Sequence, residues 1–299
     1  MSGAPTVSIV VIFFNDGTFL EEAITSAHRQ TFGDWELILA DDGSTDESTA
    51  IARRHAEARP DRVRYVEHEG HVNRGISATR NLGTAHAAGR YIAFLDSDDV
   101  WRPNKLTEQL ALLEAQPEVG LVFGASTYWW SWSEGGRTDR DMPIGAAQDV
   151  VHQPPSLVTV LYPLGAGTSP CPSSCMVRRS EYERIGGFEE HMPGLYDDQG
   201  FLAKAYLETP VYVSSRCWDL YRRHPGAVTL STSRAQYDEV RRYFLAWYEA
   251  QLRERGIQDR AIWAALRRAG LPYRHPWLAA THRGLASLLT RARRSADPR

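Results

Sequence analysis

The run VSIVVIFFN (residues 7–15) is apolar at nearly every position. It lacks the alternation of a strand with one wet face. A strand of this kind is buried on both sides, and that burial favours a mainly parallel sheet with helices over each face. The following segments fit such a sheet. Residues 18–31 carry Phe19, Leu20, Ala23, Ile24 and Ala27 at helical spacing, and WELILA (35–40) reads as a second strand. In STDESTAIARRHAEA (44–58), Ser44 and Glu47 stand at capping-box spacing ahead of a helix. RVRYVEH (62–68) is a third strand, 76–88 a helix ended by Gly89, and YIAFL (91–95) a fourth strand. A helix from Pro103 to about Ala115 and the strand VGLVFGAS (119–126) complete the alternation. The pattern predicts a doubly wound α/β sheet, in which ligands bind beyond the carboxyl ends of the strands.

Beyond residue 126 the pattern changes. Residues 127–230 are irregular and rich in Gly, Pro and Trp, with a strand candidate at 210–218. Tyr237, Val240, Phe244, Trp247 and Leu252 then mark a helix over 234–252, and Pro272 and Pro276 are expected to break two short helical stretches after it. The 299 residues, 42% hydrophobic and 24% charged, suit one large domain or a main domain with an appendage. The net charge of −3 gives no case for nucleic acid. It is unevenly spread: from Arg253 onward eleven Arg stand against Glu254, Asp259 and Asp297, a net of +8, so the remainder carries −11. Cys171, Cys175 and Cys217 form no CxxC pair, and read as reduced thiols. No signal peptide or transmembrane run is evident, so the expected location is cytoplasmic.

Two acidic clusters fall at the ligand-binding edge. In DSDD (96–99) the carboxylates repel one another unless a cation neutralises them, and hard oxygen ligands suit Mg2+ or Mn2+ holding a diphosphate. The same residues also suit a turn and a helix cap. In ADDGSTDES (40–48) the Asp-Gly pair marks a turn, while Asp42 could accept a hydrogen bond from a ligand N–H such as a nucleobase imide.

With VVIFFN at the start, NRGISATRNLGTAHAAGRYIAFLDSDD (73–99) and RRSEYERIGGFEEHMPGLYDDQGFLAKA (178–205), the chain resembles the family-2 glycosyltransferases of the GT-A fold, in consistent order from Thr6 to Thr229. The resemblance implies a nucleotide-diphospho-sugar donor, UDP-linked by default, and a divalent cation. Phe14 matches the base-stacking aromatic, usually Tyr, without its hydroxyl. Asp42 matches the carboxylate that reads the uracil N3–H. Asp96 and Asp98 match the DxD pair, the first toward the ribose and the second on the metal. Arg80 matches a basic residue near the nucleotide, or alternatively pairs with one of these Asp. Asp198 in YDDQ matches the catalytic base, with Asp197, in place of the usual Glu, in a supporting or acceptor-orienting role; both also suit a helix N-terminus. His224 in YRRHPG matches a histidine that completes the metal site or touches the diphosphate, although a lone loop His is also an ordinary surface residue.

The implied reaction is transfer to an acceptor hydroxyl with inversion, on a glycan or lipid-linked acceptor, in cell-surface polysaccharide or glycoconjugate synthesis. Two other classes are kept: a non-catalytic sugar-nucleotide-binding protein, and a nucleotidyltransferase. The latter would show a basic Gly-rich phosphate loop that FFNDGTFLEE lacks. The expected division is a catalytic domain over 1–232, split into 1–126 for the donor and 127–232 for the acceptor, and a basic helical extension over 233–299. Trp129, Trp130 and Trp132 stand either against an acceptor sugar or in a core or a protein contact. In the extension, Trp263, Leu266, Trp277, Leu285, Leu288 and Leu289 among the Arg suit a helix lying on the inner membrane face, or equally a helix docked on the acidic remainder or on a second subunit of a homodimer.

Overall fold

The computed structural model describes residues 3–274. The apolar runs form β1 (Val7–Phe13), β2 (Trp35–Asp41), β3 (Val63–Glu67) and β4 (Tyr91–Asp96), interleaved with α1 (Gly17–His28), α2 (Ser48–Ala58) and α3 (Ile76–Ala85). β5 (Val100–Trp101), α4 (Lys105–Ala115), β6 (Leu121–Trp129), β7 (Arg140–Met142) and β8 (Val150–His152) follow. Next come β9 (Met176–Arg178), α5 (Arg179–Arg184), α6 (Asp197–Glu208) and β10 (Val211–Arg222). α7 (Val228–Ser231), α8 (Arg234–Glu254) and α9 (Arg260–Arg274) end the described chain.

The strands form one sheet in the order β3-β2-β1-β4-β9-β6-β10-β5, with β7 on β6 and β8 on β10. β3, β2, β1 and β4 are parallel; β9 runs antiparallel between β4 and β6, and β10 is again parallel to β6. The near-continuous apolar pattern of β1 has the expected cause. Val10 and Ile12 enter the core shared with α6, α8 and α9, while Ile9, Val11 and Phe13 enter the one shared with α1, α2 and α4. Gly83 lets α3 lie close on the sheet, since a Cβ there would stand 2.5 Å from Val10 Cγ1.

Several local expectations change. α2 begins at Ser48, not Ser44, and its N-cap Glu47 makes no side-chain cap bond. Ser44 Oγ instead accepts the Asn15 N–H at 3.0 Å, a tertiary contact that outcompetes the local cap. A capping box does exist at Ser233 and Gln236, before α8. α3 ends at Ala85, and Gly89 serves the close approach of Ser8, whose Oγ accepts its N–H at 2.8 Å. Pro272 lies inside α9 without ending it; Pro276 lies outside the described residues.

Helices α8 and α9 share the main core: Phe244, Leu245, Tyr248, Leu252, Ile262 and Leu266 are buried in it. Leu266 and the partly buried Trp263 therefore pack on protein, which corrects the membrane-facing reading for these two. Trp277, Leu285, Leu288 and Leu289 lie outside the described residues. Among the described residues no helix is long and apolar enough to cross a membrane.

Candidate active site

Strand register gathers the site. Phe13 is level with Asp41 and Ile12 with Asp96, so β1, β2 and β4 end together and deliver Phe14, Asp42 and Asp96 to one edge. A cavity of about 550 Å³ opens there, lined by Phe14, Asp42, Arg80, Asp96, Asp98, Asp197, Asp198 and His224. The eight residues that the family resemblance picks out all line this one space, whereas Trp129, Trp130 and Trp132 do not.

The members of DSDD diverge. Asp99 is fully buried; its carboxylate accepts Ser173 Oγ–H at 2.5 Å and the Arg222 N–H at 3.0 Å, tying the turn to β10. Burial, with the charges of Asp98 and Asp96, pushes its carboxyl well above the usual range. Asp98 turns to the cavity, its Oδ2 3.1 Å from His224 Nε2. Its carbonyl accepts Arg222 Nε–H at 2.7 Å. The Arg222 guanidinium is itself fixed by Glu22 and by the rings of Phe19, Trp129 and Trp132. Trp129 and Trp132 thus support this turn, while Trp130 meets Tyr128 edge-on.

Asp96 pairs with Arg80 at 2.6 Å, and the other arm of the same guanidinium holds Asp197. Arg80 is 3% exposed and bridges the two halves of the site. This is the ion-pair alternative, with Arg80 reaching the cavity through the carboxylates it holds. Burial raises the Asp96 carboxyl, and the Arg80 charge opposes the rise. Arg80→Met is expected to strand two partly or fully buried carboxylates and to cost about 3–5 kcal/mol of stability. Arg80→Lys should recover part of this. Denaturant unfolding checks both, and equal stability of Arg80→Met and wild type would refute the bridge.

Asp42 is buried, and its oxygens accept the backbone N–H groups of Arg74 (2.7 Å) and Gly75 (3.0 and 3.1 Å). It orders the segment before α3, and a carboxylate with up to four acceptor positions retains capacity for a ligand donor. Phe14 is 45% exposed, a large ring bared at the cavity. Asp197 and Asp198 open α6. The Asp198 carboxylate accepts the Gln199 N–H (2.6 Å) and Gln199 Nε2–H (3.0 Å). Burial, then the charge of Asp197, pushes its pKa up to about 7.

Sequence reasoning assigned no role to Asp16, Ser77 or Glu190, which also line the cavity. Asp16 accepts Ser97 Oγ–H, and burial raises its carboxyl. Its position just after β1, at the same strand edge, was the available signal. Ser77 Oγ is buried without a partner, and nothing in GISATR distinguishes it.

Seven carboxylates (Asp16, Asp42, Asp96, Asp98, Glu190, Asp197, Asp198) against Arg80 make an acidic wall. A diphosphate would be repelled there unless a cation came with it. The oxygen of Asp98 and the imidazole of His224 form a donor pair that fits Mn2+ or Mg2+. A separate group, Asp41, Glu67 and His71, also has its ligand atoms within 4.8 Å of one another. His71 meets Glu67 at 2.8 Å and the Ser44 carbonyl at 2.7 Å, so both ring nitrogens face acceptors, and Asp41 accepts from Thr49 Oγ1–H at 2.6 Å and the Tyr65 hydroxyl at 3.1 Å. That arrangement favours an imidazolium, and the Ser44 carbonyl and then Glu67 raise its pKa. An imidazolium does not ligate a metal.

Residues 8–186 match the family model described as Glycosyl transferase family 2. The chain is 32% identical over 189 residues to EpsE of Bacillus subtilis (strain 168), covering 63% of this chain and 62% of that one. It is 35% identical over 118 residues to the Escherichia coli UDP-Glc:alpha-D-GlcNAc-diphosphoundecaprenol beta-1,3-glucosyltransferase WfgD, covering 40% of this chain and 44% of that one. The chain thus spans less than two thirds of these relatives' lengths. In fold it is similar to the mannosyltransferase PcManGT from Pyrobaculum calidifontis, solved with GDP-Man and Mn2+. The TM-score is 0.59 and the identity 20%, over 99% of this chain and 82% of that one.

Proposed function

The chain belongs to glycosyl transferase family 2, and from that premise we propose that it moves a sugar from a nucleotide-diphospho-sugar to an acceptor hydroxyl with inversion at the anomeric carbon. The observation that carries this reading is the single cavity in which Phe14 and Asp42, the Asp98–His224 pair and Asp198 converge. Phe14 offers a face for the base, and Asp42 an acceptor for an imide N–H. Asp96, held by Arg80, faces the ribose. Asp98 and His224 would hold a divalent cation, which when bound offsets charge on the leaving nucleoside diphosphate. Asp198 takes the proton of the acceptor hydroxyl. Asp197 is engaged by Arg80, which leaves Asp198 as the carboxylate available for proton transfer and favours a single displacement.

UDP is the proposed nucleotide by the family resemblance; Asp42 suits the imide-like N–H of uracil, thymine and guanine alike, so dTDP and GDP are its alternatives. The name of WfgD, with its UDP-Glc donor and diphosphoundecaprenol-linked acceptor, supports a UDP-sugar and a lipid-linked acceptor in polysaccharide synthesis. Work at the inner membrane face would follow from that acceptor.

A thermal-shift panel with UDP, dTDP and GDP tests the donor side. With Mn2+ present, UDP at about 100 Kd should stabilise by about 2.7 kcal/mol, a Tm rise of a few degrees. EDTA should abolish most of the rise. A chain that none of the three nucleotides stabilises with Mn2+ is not the transferase described here.

A further inference from the structure

A second cavity, of about 700 Å³, lies on the far side of Asp198. It shares Cys171, Leu195, Asp198 and Tyr221 with the first, so the proposed base stands in the wall between them. Tyr128 of β6 and Tyr162 and Tyr237 form aromatic walls. The hydroxyls of Tyr162 and Tyr237 meet at 2.7 Å, and Arg241 donates to the adjoining Tyr196 at 2.8 Å, so this wall is preset. Its charged lining residues are Asp198 and Arg234.

Gln199 also lines this cavity and is 5% exposed. Its Nε2–H group is committed to Asp198 Oδ2, which turns Oε1 away from the carboxylate. That Oε1 is buried and has no partner. A buried amide oxygen left unpaired is a cost the fold carries without a structural return, and such groups call for an explanation.

We infer that the second cavity takes a neutral sugar ring as acceptor, and that Gln199 Oε1 accepts a hydrogen bond from the hydroxyl next to the one Asp198 deprotonates. The inference rests on the transferase reading above. One amide width separates the bond to Asp198 from Oε1, which suits neighbouring hydroxyls of one ring. The tyrosines supply faces for its C–H side. Arg234 is exposed, and the near balance of charge gives no pocket for an anionic acceptor group.

Saturation-transfer NMR on full-length protein loaded with UDP and Mn2+ tests this. The probes are methyl glycosides of glucose, galactose and mannose, their singly deoxygenated forms, and methyl glucuronide. At least one neutral glycoside should bind, and removing one particular hydroxyl should weaken it about tenfold. In Gln199→Met, which keeps volume and removes the orphan oxygen, the same deoxygenation should matter less than twofold, while the nucleotide thermal shift persists. Methyl glucuronide should bind more weakly than the best neutral probe. If Gln199→Met fails to fold, Tyr128→Ala reads the opposite wall: lost glycoside binding with a retained nucleotide shift supports the assignment, and unchanged binding overturns it. Absence of binding by every neutral glycoside, tighter binding of the glucuronide, or discrimination that survives in Gln199→Met also overturns it, with the transferase reading intact. A wild type that shows no nucleotide shift removes that reading and this inference together.

Discussion

Asp198→Asn is expected to keep the fold and nucleotide binding while lowering turnover by ~10²–10⁴, the loss typical of a removed general base. The substitution preserves shape, and an Asn carbonyl can still accept the Gln199 N–H that the carboxylate accepts at 2.6 Å. What disappears is the capacity to take a proton, together with the acceptor for Gln199 Nε2–H at 3.0 Å, and the Gln199 amide can turn over to offer Oε1 to the new N–H group. The pH dependence follows from the pKa of about 7 that burial and the Asp197 charge impose. Below it Asp198 carries a proton and cannot act as base, so kcat/KM should rise with pH through about 7 and then level off. Stability runs the other way. The folded pKa lies above the ordinary 3.8, so this group contributes stability that is fully present below 3.8 and is lost as pH rises through about 7. Asp198→Asn should therefore raise Tm at pH ~8 and leave it little changed at pH ~3.5. Asp197→Asn should instead weaken the Arg80 ion pair and lower Tm at neutral pH. Normal turnover in Asp198→Asn together with a dead Asp197→Asn would move the base to Asp197.

Asp98→Ala should lower transfer by on the order of 10³ or more, since the loss of bound cation forfeits several kcal/mol of charge stabilisation. The thermal response to UDP should become the same with Mn2+ as with EDTA. The fold should survive. The Asp98 side chain meets His224, while Arg222 Nε holds the turn through the Asp98 carbonyl, which alanine retains. Asp99→Ala is the contrast: it strands Ser173 and the Arg222 N–H inside the protein and should lower stability first. Undiminished activity of the wild type in excess EDTA would refute the role given to Asp98 and His224.

The sheet was legible in the sequence because burial on both faces leaves a mark on every residue of a strand. β1 is apolar apart from Ser8 and β4 apart from its terminal Asp96, and the charged or polar residues at their ends stand out by contrast. Strand ends in register then place Phe14, Asp42 and Asp96 together almost by geometry alone. The DSDD and YDDQ segments were visible for the same reason, as charge that interrupts or follows apolar pattern.

Other features needed the tertiary structure. Arg80 and Asp197 are 117 residues apart, and Asp98 and His224 are 126 apart. These pairs meet because β9, three residues without a distinctive pattern, inserts antiparallel between β4 and β6 and so fixes where α6 and β10 fall. Whether Arg80 would reach a nucleotide or bind two carboxylates, and which Asp of DSDD would be buried, could not be read from residue types that allow both. The docking of α9 had the same ambiguity, since an amphipathic basic helix has one apolar face whether it meets lipid or protein. Periodicity encodes which side of an element is dry; which partner covers that side depends on contacts between segments far apart in the chain, and those are decided only when the whole sheet closes around its core.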